Sequence, residues 1–496
     1  MQLAQIIDGL PDAISQGPLD LEIKSLTYDS RRVRPGSLFF AYDGSKRDGH
    51  DYIDEAVSRG AVAVVHRDEI ARLPGVGFIR VRNPRFAMAS MSANFYRHPS
   101  REMRVIGVTG TNGKSSVAFL ISQLLDRVGC SNGLLSTTFL KIGESLGGTP
   151  FSASTPEAPE VQGVLRKISD AGCEYAVIEA TSHALSAQNN RLGSIEFNCA
   201  VCTNLTHEHL EFHGTREQYR FDKANLFRAL DRGQTPAFGI VNADSNDADY
   251  FSNATASRVY TFGVASAADL TAIPIESDLR ESRFDIASGS SKFEVATSLA
   301  GSFNIENILA AILTVSVMTG RRIDQLHRHV AAMRPVPGRL QRIDMGQPFG
   351  LMVDFAHSPD SFSRLLPFVR KHTSGRLIVV FGSAGDRDAA KRPIQGAVAD
   401  QHADVIVLTD EDPRGESPEA ILREIAKGCP ARREGQDLHI VPNRSKAIEL
   451  ALGMAQTGDN VLLLGKGHEK SIEYRNELMG WDEVEVAKAS LRRIGY

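Results

Sequence analysis

Eight short apolar runs, SLFFAY, AVAVVH, RVIGVTG, YAVIEA, CAVCTNL, RLIVVFG, DVIVLTD and NVLLLGKG, recur along the chain with helical patterns between them. Runs of this kind, bounded by turn residues, suit strands buried on both faces, and their alternation with helices predicts parallel sheets of βαβ units. An α/β fold follows. Turn residues cluster at FYRHPSREM before Arg104 and at MRPVPGRLQ around Pro335 and Pro337, dividing the chain into residues 1–100, 101–335 and 336–496. At 496 residues the chain exceeds what one core sustains, and three domains are expected. No fixed-period repeat, low-complexity segment or charge block appears, which argues against a solenoid or a disordered tail. The start, MQLAQIIDGLPDAIS, has neither the basic nor the apolar region of a secretory signal, and no run of about 20 apolar residues suggests a membrane span.

Composition adds exclusions. A hydrophobic share of 42% and a formal net charge of -4 describe an ordinary globular chain with no basic excess for a nucleic-acid partner. Five cysteines cannot make a disulfide framework, and Cys199-x-x-Cys202 has no second Cys or His pair at zinc-finger spacing. Structural thiols, a reducing and cytoplasmic location, no membrane and a monomer are expected.

The chemistry begins where the strand RVIGV runs into Gly110-Thr111-Asn112-Gly113-Lys114-Ser115-Ser116 and then into the helical pattern VAFLISQLLDRVG. A glycine turn between strand and helix aims backbone N–H groups at phosphate, with Lys114 supplying charge and Ser115 a magnesium ligand. The strict phosphate-loop pattern wants glycine where Val108 stands, and a purely structural turn is the alternative. Two further strands end in Glu179-Ala180-Thr181-Ser182-His183 and in Thr206-His207-Glu208-His209-Leu210-Glu211-Phe212-His213. Carboxyl ends of parallel strands face the ligand crevice. A hydrated surface loop and a zinc site are the alternatives, although the oxygen-rich context favours magnesium.

The GTNGKS form resembles that of Mur ligases, which use ATP to phosphorylate a substrate carboxylate before an amine displaces phosphate. The two later segments resemble the family's Glu-x-Ser-Ser-His and Asn-Leu-x-x-Asp-His-Leu-Asp signatures, with Thr181, Glu208 and Glu211 as departures. The resemblance implies ATP and Mg2+ as cofactors, catalytic roles for Lys114, Lys223, Glu179 and His209, and metal ligation by Ser115, Glu179, His209 and Lys223. Lys223, in YRFDKANLF, matches a lysine that is carbamylated; as an unaided pattern, a lone helical lysine reads as a solvated charge, and Asp222 stands where Ala is usual.

Ser302 is an N-cap candidate for the helix that follows, with Glu306 and asparagines on its exposed side. By resemblance Asn304 and Asn307 lie near adenine, Arg339 in PVPGRLQ reaches the γ-phosphate, and Asp354 and His357 in VDFAHSP join the nucleotide side. The segment DSRRVRPGSLFFA resembles the UDP-sugar domain of members that add the third residue to a UDP-muramoyl dipeptide. The implied substrates are therefore that dipeptide and a diamino acid. Ser30, Ser154, Thr155, Ser182 and Arg191 are the implied dipeptide contacts. Arg387, Asp412, Arg414, Gly465 and Glu469 are the implied amino-acid contacts. In Glu411-Asp412-Pro413-Arg414 the retained arginine suits a second carboxylate, as in diaminopimelate. Asp412 in place of Asn suits a bare ammonium, as in lysine or ornithine. A folylpolyglutamate synthetase-like ligase and a non-catalytic nucleotide-binding homologue are the other readings.

Overall fold

The structure, a computed structural model, describes residues 1–496 except 45–46, 70–72, 152, 207–209, 234 and 476, with backbone alone for 210, 211 and 274. All eight apolar runs form strands, from Ser37–Phe40 and Ala61–His66 to Val405–Leu408 and Asn460–Leu464. Contacts group the chain into two compact units, one of residues 1–205, 215–271 and 307–326, the other of 206–214, 272–306 and 327–496.

The first unit contains two sheets. In the five-stranded N-terminal sheet, Ser25–Thr27, Ser37–Phe40, Ala61–His66 and Gly77–Arg80 run parallel, and Ile14–Gln16 closes one edge antiparallel. Leu38, Phe40, Val65 and Ile79 are buried on one face of this sheet and Phe39, Val64 and Phe78 on the other, as a sheet covered on both sides requires. In the central sheet Arg104–Thr109 lies between Tyr175–Glu179 and Cys199–Cys202, all parallel, with Asn132–Leu135, Phe238–Asn242 and Arg258–Gly263 outside them. The loops after its three middle strands therefore share one edge.

The second unit is built on a six-stranded sheet in the order Gln341–Arg342, Gly350–Asp354, Asn460–Leu464, Leu377–Phe381, Val405–Leu408, Leu438–Ile440, parallel except at the first edge. Met352, Val379, Ile406 and Leu462 face one apolar cluster, and Leu351, Val353, Val380, Val407 and Leu463 the other. The alternation is the period-two geometry of a strand buried on both sides.

Helix Ser302–Thr319 differs from expectation in three ways. It is long and apolar enough by composition to cross a membrane, yet 67% of it is buried in protein, as a core helix is. It starts at Ser302, which is its first residue rather than its cap. Asn304 and Asn307 are buried, not exposed, because the helix is covered on more than one side.

Candidate functional site

In the first unit the phosphate loop is held by its neighbours on the sheet. Asn204 accepts from the Thr111 N–H at 2.9 Å through its carbonyl and from the Asn112 N–H at 2.9 Å through Oδ1, while Thr203 Oγ1 donates to Asn112 O at 2.6 Å. Gly110 has φ +143°, and a Cβ there would lie 1.9 Å from Thr203 Oγ1, so glycine is required twice over. Gly113, at φ +84°, opens helix Lys114–Arg127, and the side-chain oxygen of Asn307 lies where its Cβ would be. The Lys114 ammonium donates to Gly110 O at 3.1 Å and Thr111 O at 2.8 Å. Ser116 is half-buried on the first turn.

Ser115 and Glu179, both buried, meet here: Ser115 Oγ donates to Glu179 Oε2 at 2.9 Å, and the Thr137 N–H donates to the same oxygen at 2.8 Å. A hydroxyl and a carboxylate side by side at a phosphate loop are hard oxygen donors and fit a magnesium ion. Lys223 joins from helix Arg216–Leu230, which Thr215 caps through the Gln218 N–H. Its side chain is 1% exposed and donates to Gly110 O at 2.6 Å, with the Tyr219 ring 4.6 Å away. A solvated helical lysine is thus ruled out, because the helix packs this face against the phosphate loop. Asp222 is buried too and accepts from Gln218 Nε2 at 2.9 Å. His207, Glu208 and His209 lie outside the described residues, as does the side chain of Glu211.

Thr155 Oγ1 donates to Glu179 O at 2.7 Å and accepts from the Thr181 N–H, and Arg191 donates to Thr155 O and to Glu157 Oε1, each at 2.7 Å. Ser182, buried, begins a short helix capped by Thr181, and Ser154 is half-buried. Thr155, Ser182 and Arg191 thus gather beside Glu179. Ser30 instead donates to Glu55 Oε2 at 3.0 Å, in the N-terminal sheet's loop region.

The second unit brings its candidate residues to the carboxyl ends of its strands. Asp354 accepts from the N–H groups of Leu340 at 2.6 Å and Ala356 at 2.7 Å, and burial pushes its carboxyl upward while Arg339 opposes. Arg339 lies over the Phe355 ring at 4.6 Å. His357 faces the Phe355 carbonyl through Nδ1, and Asn304 donates to Ala300 O at 2.7 Å. Arg387 is exposed in the loop after Leu377–Phe381.

Asp412 is not the bare carboxylate that the sequence suggests. Its Oδ1 accepts from Lys466 Nζ and from the Glu473 N–H, both at 2.9 Å, and its Oδ2 lies 3.8 Å from Arg414. Arg414 donates to Glu473 Oε2 at 2.8 Å and Gly385 O at 3.0 Å. Glu469 pairs with Lys466 at 2.6 Å, and burial raises its pKa to about 7 against the pull of that ammonium. Gly465, at φ +100°, lets its loop pass Glu411, whose Oε2 would lie 2.9 Å from a Cβ. His468 is held down at about 3, first by burial and then by Arg339, so it is neutral. Beneath these loops Arg444 and Glu483, both fully buried, pair at 2.6 Å; Arg444 also donates to the carbonyls of Asp410 and Leu464.

Sequence reading gave no role to Thr203, Lys466, Glu473 or the Arg444–Glu483 pair. Only Lys466, inside a glycine loop, carried any signal. Cys199 and Cys202 lie in a strand with thiols raised by burial, and none of the five cysteines is paired.

Comparison with known proteins gives the same assignment along the chain. The description "Mur ligase family, catalytic domain" matches residues 22–96, "Mur ligase middle domain" 108–315 and "Mur ligase, glutamate ligase domain" 338–467. A UDP-N-acetylmuramyl-tripeptide synthetase of Roseiflexus sp. (strain RS-1) is 46% identical, with 100% of each chain covered. A UDP-N-acetylmuramoyl-L-alanyl-D-glutamate--2,6-diaminopimelate ligase of Geobacillus kaustophilus is 37% identical, again over 100% of both chains. A solved structure carrying that ligase name superposes with TM-score 0.65 at 27% identity, covering 100% of this chain and 99% of the other. With a phosphate loop, an adjoining hydroxyl–carboxylate pair and full-length likeness to these ligases, the chain belongs to the Mur ligase family of ATP-dependent, amide-bond-forming ligases.

Proposed function

We propose that the protein joins a diamino acid, with 2,6-diaminopimelate preferred, to the D-glutamyl carboxylate of UDP-N-acetylmuramoyl-L-alanyl-D-glutamate, cleaving ATP to ADP and phosphate. The observation that carries this reading is the end-to-end likeness to ligases named for that reaction. The γ-phosphoryl group passes to the carboxylate oxygen and ADP leaves; the amine nitrogen then attacks the acyl carbon, phosphate departs with its oxygen, and the nitrogen loses a proton. Lys114 stabilises charge on the transferring phosphoryl group and the loop N–H groups orient it. Ser115 and Glu179, with His209 by resemblance, would hold magnesium, which would supply charge neutralisation between oxygens that repel one another. Lys223, buried beside Gly110, would as a carbamate present an anion able to orient that cation.

Residues 1–100 hold the UDP-sugar, 101–335 ATP and 336–496 the amino acid in this reading, with Thr155, Ser182 and Arg191 on the dipeptide and Ser30 and Ser154 toward the UDP-muramoyl part. By resemblance, Asn304, Asn307, Arg339, Asp354 and His357 are the further nucleotide-binding residues. Arg387 takes the near carboxylate of the amine substrate, and Gly465 and Glu469 its distal head. The far carboxylate replaces half-exposed Glu473 on Arg414. The protein acts in the cytoplasm as a monomer, without membrane or nucleic acid. The Roseiflexus relative's name leaves the diamino acid open, and a lysine or ornithine enzyme is the second reading. Phosphate release that requires the UDP-dipeptide, and that dihydropteroate does not elicit, is the expected assay result. Release with dihydropteroate alone would transfer the protein to the folylpolyglutamate class.

A further inference from the structure

Nothing in the proposed reaction uses Lys466, yet it is the most enclosed charge among the amino-acid loops. Its side chain is 1% exposed, and its ammonium is held between Glu469 Oε2 at 2.6 Å and Asp412 Oδ1 at 2.9 Å. Those two carboxylates come from different loops, one after Val405–Leu408 and the other after Asn460–Leu464. Burial disfavours the ammonium, but Glu469 and Asp412 outweigh it, so the group is charged at all working pH values. A buried charge without partners would be costly, and both partners here are themselves candidate substrate contacts.

The arrangement has a consequence for selection. Left alone, Asp412 would stand as an unpaired carboxylate beside Glu469, suited to a side-chain ammonium and repellent to a second carboxylate. With Lys466 between them, one negative charge is removed. We infer that Lys466 is a specificity-determining residue: by pairing with Asp412 and Glu469 and cancelling one negative charge it makes the pocket tolerant of an amine substrate with a second carboxylate, and occupies the partners that a bare ammonium would use. The inference rests on the amine site proposed above. Selection here comes from an internal counter-ion, while Arg414 supplies the direct contact.

The test measures kcat/KM for meso-diaminopimelate and for L-lysine, with ATP and the UDP-dipeptide, in wild type, Lys466→Met, Lys466→Arg and Asp412→Asn. In Lys466→Met the diaminopimelate-to-lysine ratio falls by at least about tenfold relative to wild type, with KM for lysine decreasing. Lys466→Arg retains most of the wild-type ratio. Asp412→Asn moves the ratio the opposite way, toward diaminopimelate, and decides the matter if Lys466→Met does not fold. A structural role alone would lower both efficiencies together; an unchanged ratio in Lys466→Met, or in Asp412→Asn, overturns the inference. If wild type ligates neither amine to the UDP-dipeptide, the reaction reading fails and this inference with it. Ligation with an unmoved ratio sinks the inference alone.

Discussion

Around the phosphate loop, charged side chains rest on neutral dipoles: Lys114 on backbone carbonyls, Glu179 on a hydroxyl and an amide N–H. Around Gly465 they rest on one another: Lys466 on Asp412 and Glu469, Arg414 on Glu473. Both regions are loops at carboxyl ends of parallel strands, and the difference lies in what each leaves for a ligand. Dipoles hold a charge in place without cancelling it, so in the proposed reaction the first region keeps the charge of Lys114 for polyphosphate and that of Glu179 for a divalent cation. Ion pairs cancel most of theirs, and the second region suits a zwitterion, whose own charges sum near zero and must be told apart by position.

The largest effects therefore belong to the first region. Lys114→Ala should lower phosphate release by about 10²–10³-fold or more while UDP-dipeptide binding by calorimetry stays nearly intact. Activity within about threefold of wild type would remove Lys114 from the transition state. Lys223→Ala should be inactive and partly restored by short-chain carboxylic acids, which supply the missing oxygens. Absence of rescue, together with intact-protein mass showing no added carbon dioxide on Lys223, would refute the carbamate.

In the second region effects divide between stability and selection. Arg444→Met leaves Glu483 buried without its counter-ion and should lower unfolding free energy by about 3–5 kcal/mol in denaturant titration. A change under about 1 kcal/mol would mean that the pair is not the strut joining the Asp410 and Leu464 loop bases. Arg414→Ala should cost about 2–5 kcal/mol in diaminopimelate kcat/KM and change lysine use little. Equal losses for both amines would place Arg414 in loop structure rather than carboxylate recognition. The smallest effect is one of pH. Burial raises Glu469 to about 7, so as pH falls from about 8 to about 6 its carboxyl takes up a proton and the ammonium head loses its anion. KM for the amine should rise, by up to about tenfold per pH unit below that value, and Glu469→Gln should flatten the profile.

The fold was legible because its signal is local: eight apolar runs became eight strands, and the glycine-rich segment after RVIGV became a turn between strand and helix. Residue types at strand ends also marked the segments that the structure brings to one edge of each sheet. What could not be read were partnerships between distant segments. Asp412 reads as a bare carboxylate until Lys466, 54 residues on, is placed against it. Lys223 reads as solvated until its helix packs on Gly110, 113 residues earlier. Asn304 and Asn307 read as exposed because helical periodicity marks polar positions, whereas this helix is buried on more than one side. Arg444 sits on an ordinary helix pattern, and nothing local marks its bond to Glu483.

The mass of the product decides whether the protein carries out the proposed ligation. The protein is incubated with ATP, magnesium, the UDP-muramoyl dipeptide and, in turn, meso-diaminopimelate, L-lysine and L-ornithine, and the UDP-linked product is weighed. The expected product is a tripeptide one diaminopimelyl residue heavier than the dipeptide, formed faster than either alternative, with ADP and phosphate in equal amount. A product bearing lysine or ornithine in preference would contradict the choice of amine, and no mass gain with any of the three would contradict the reaction.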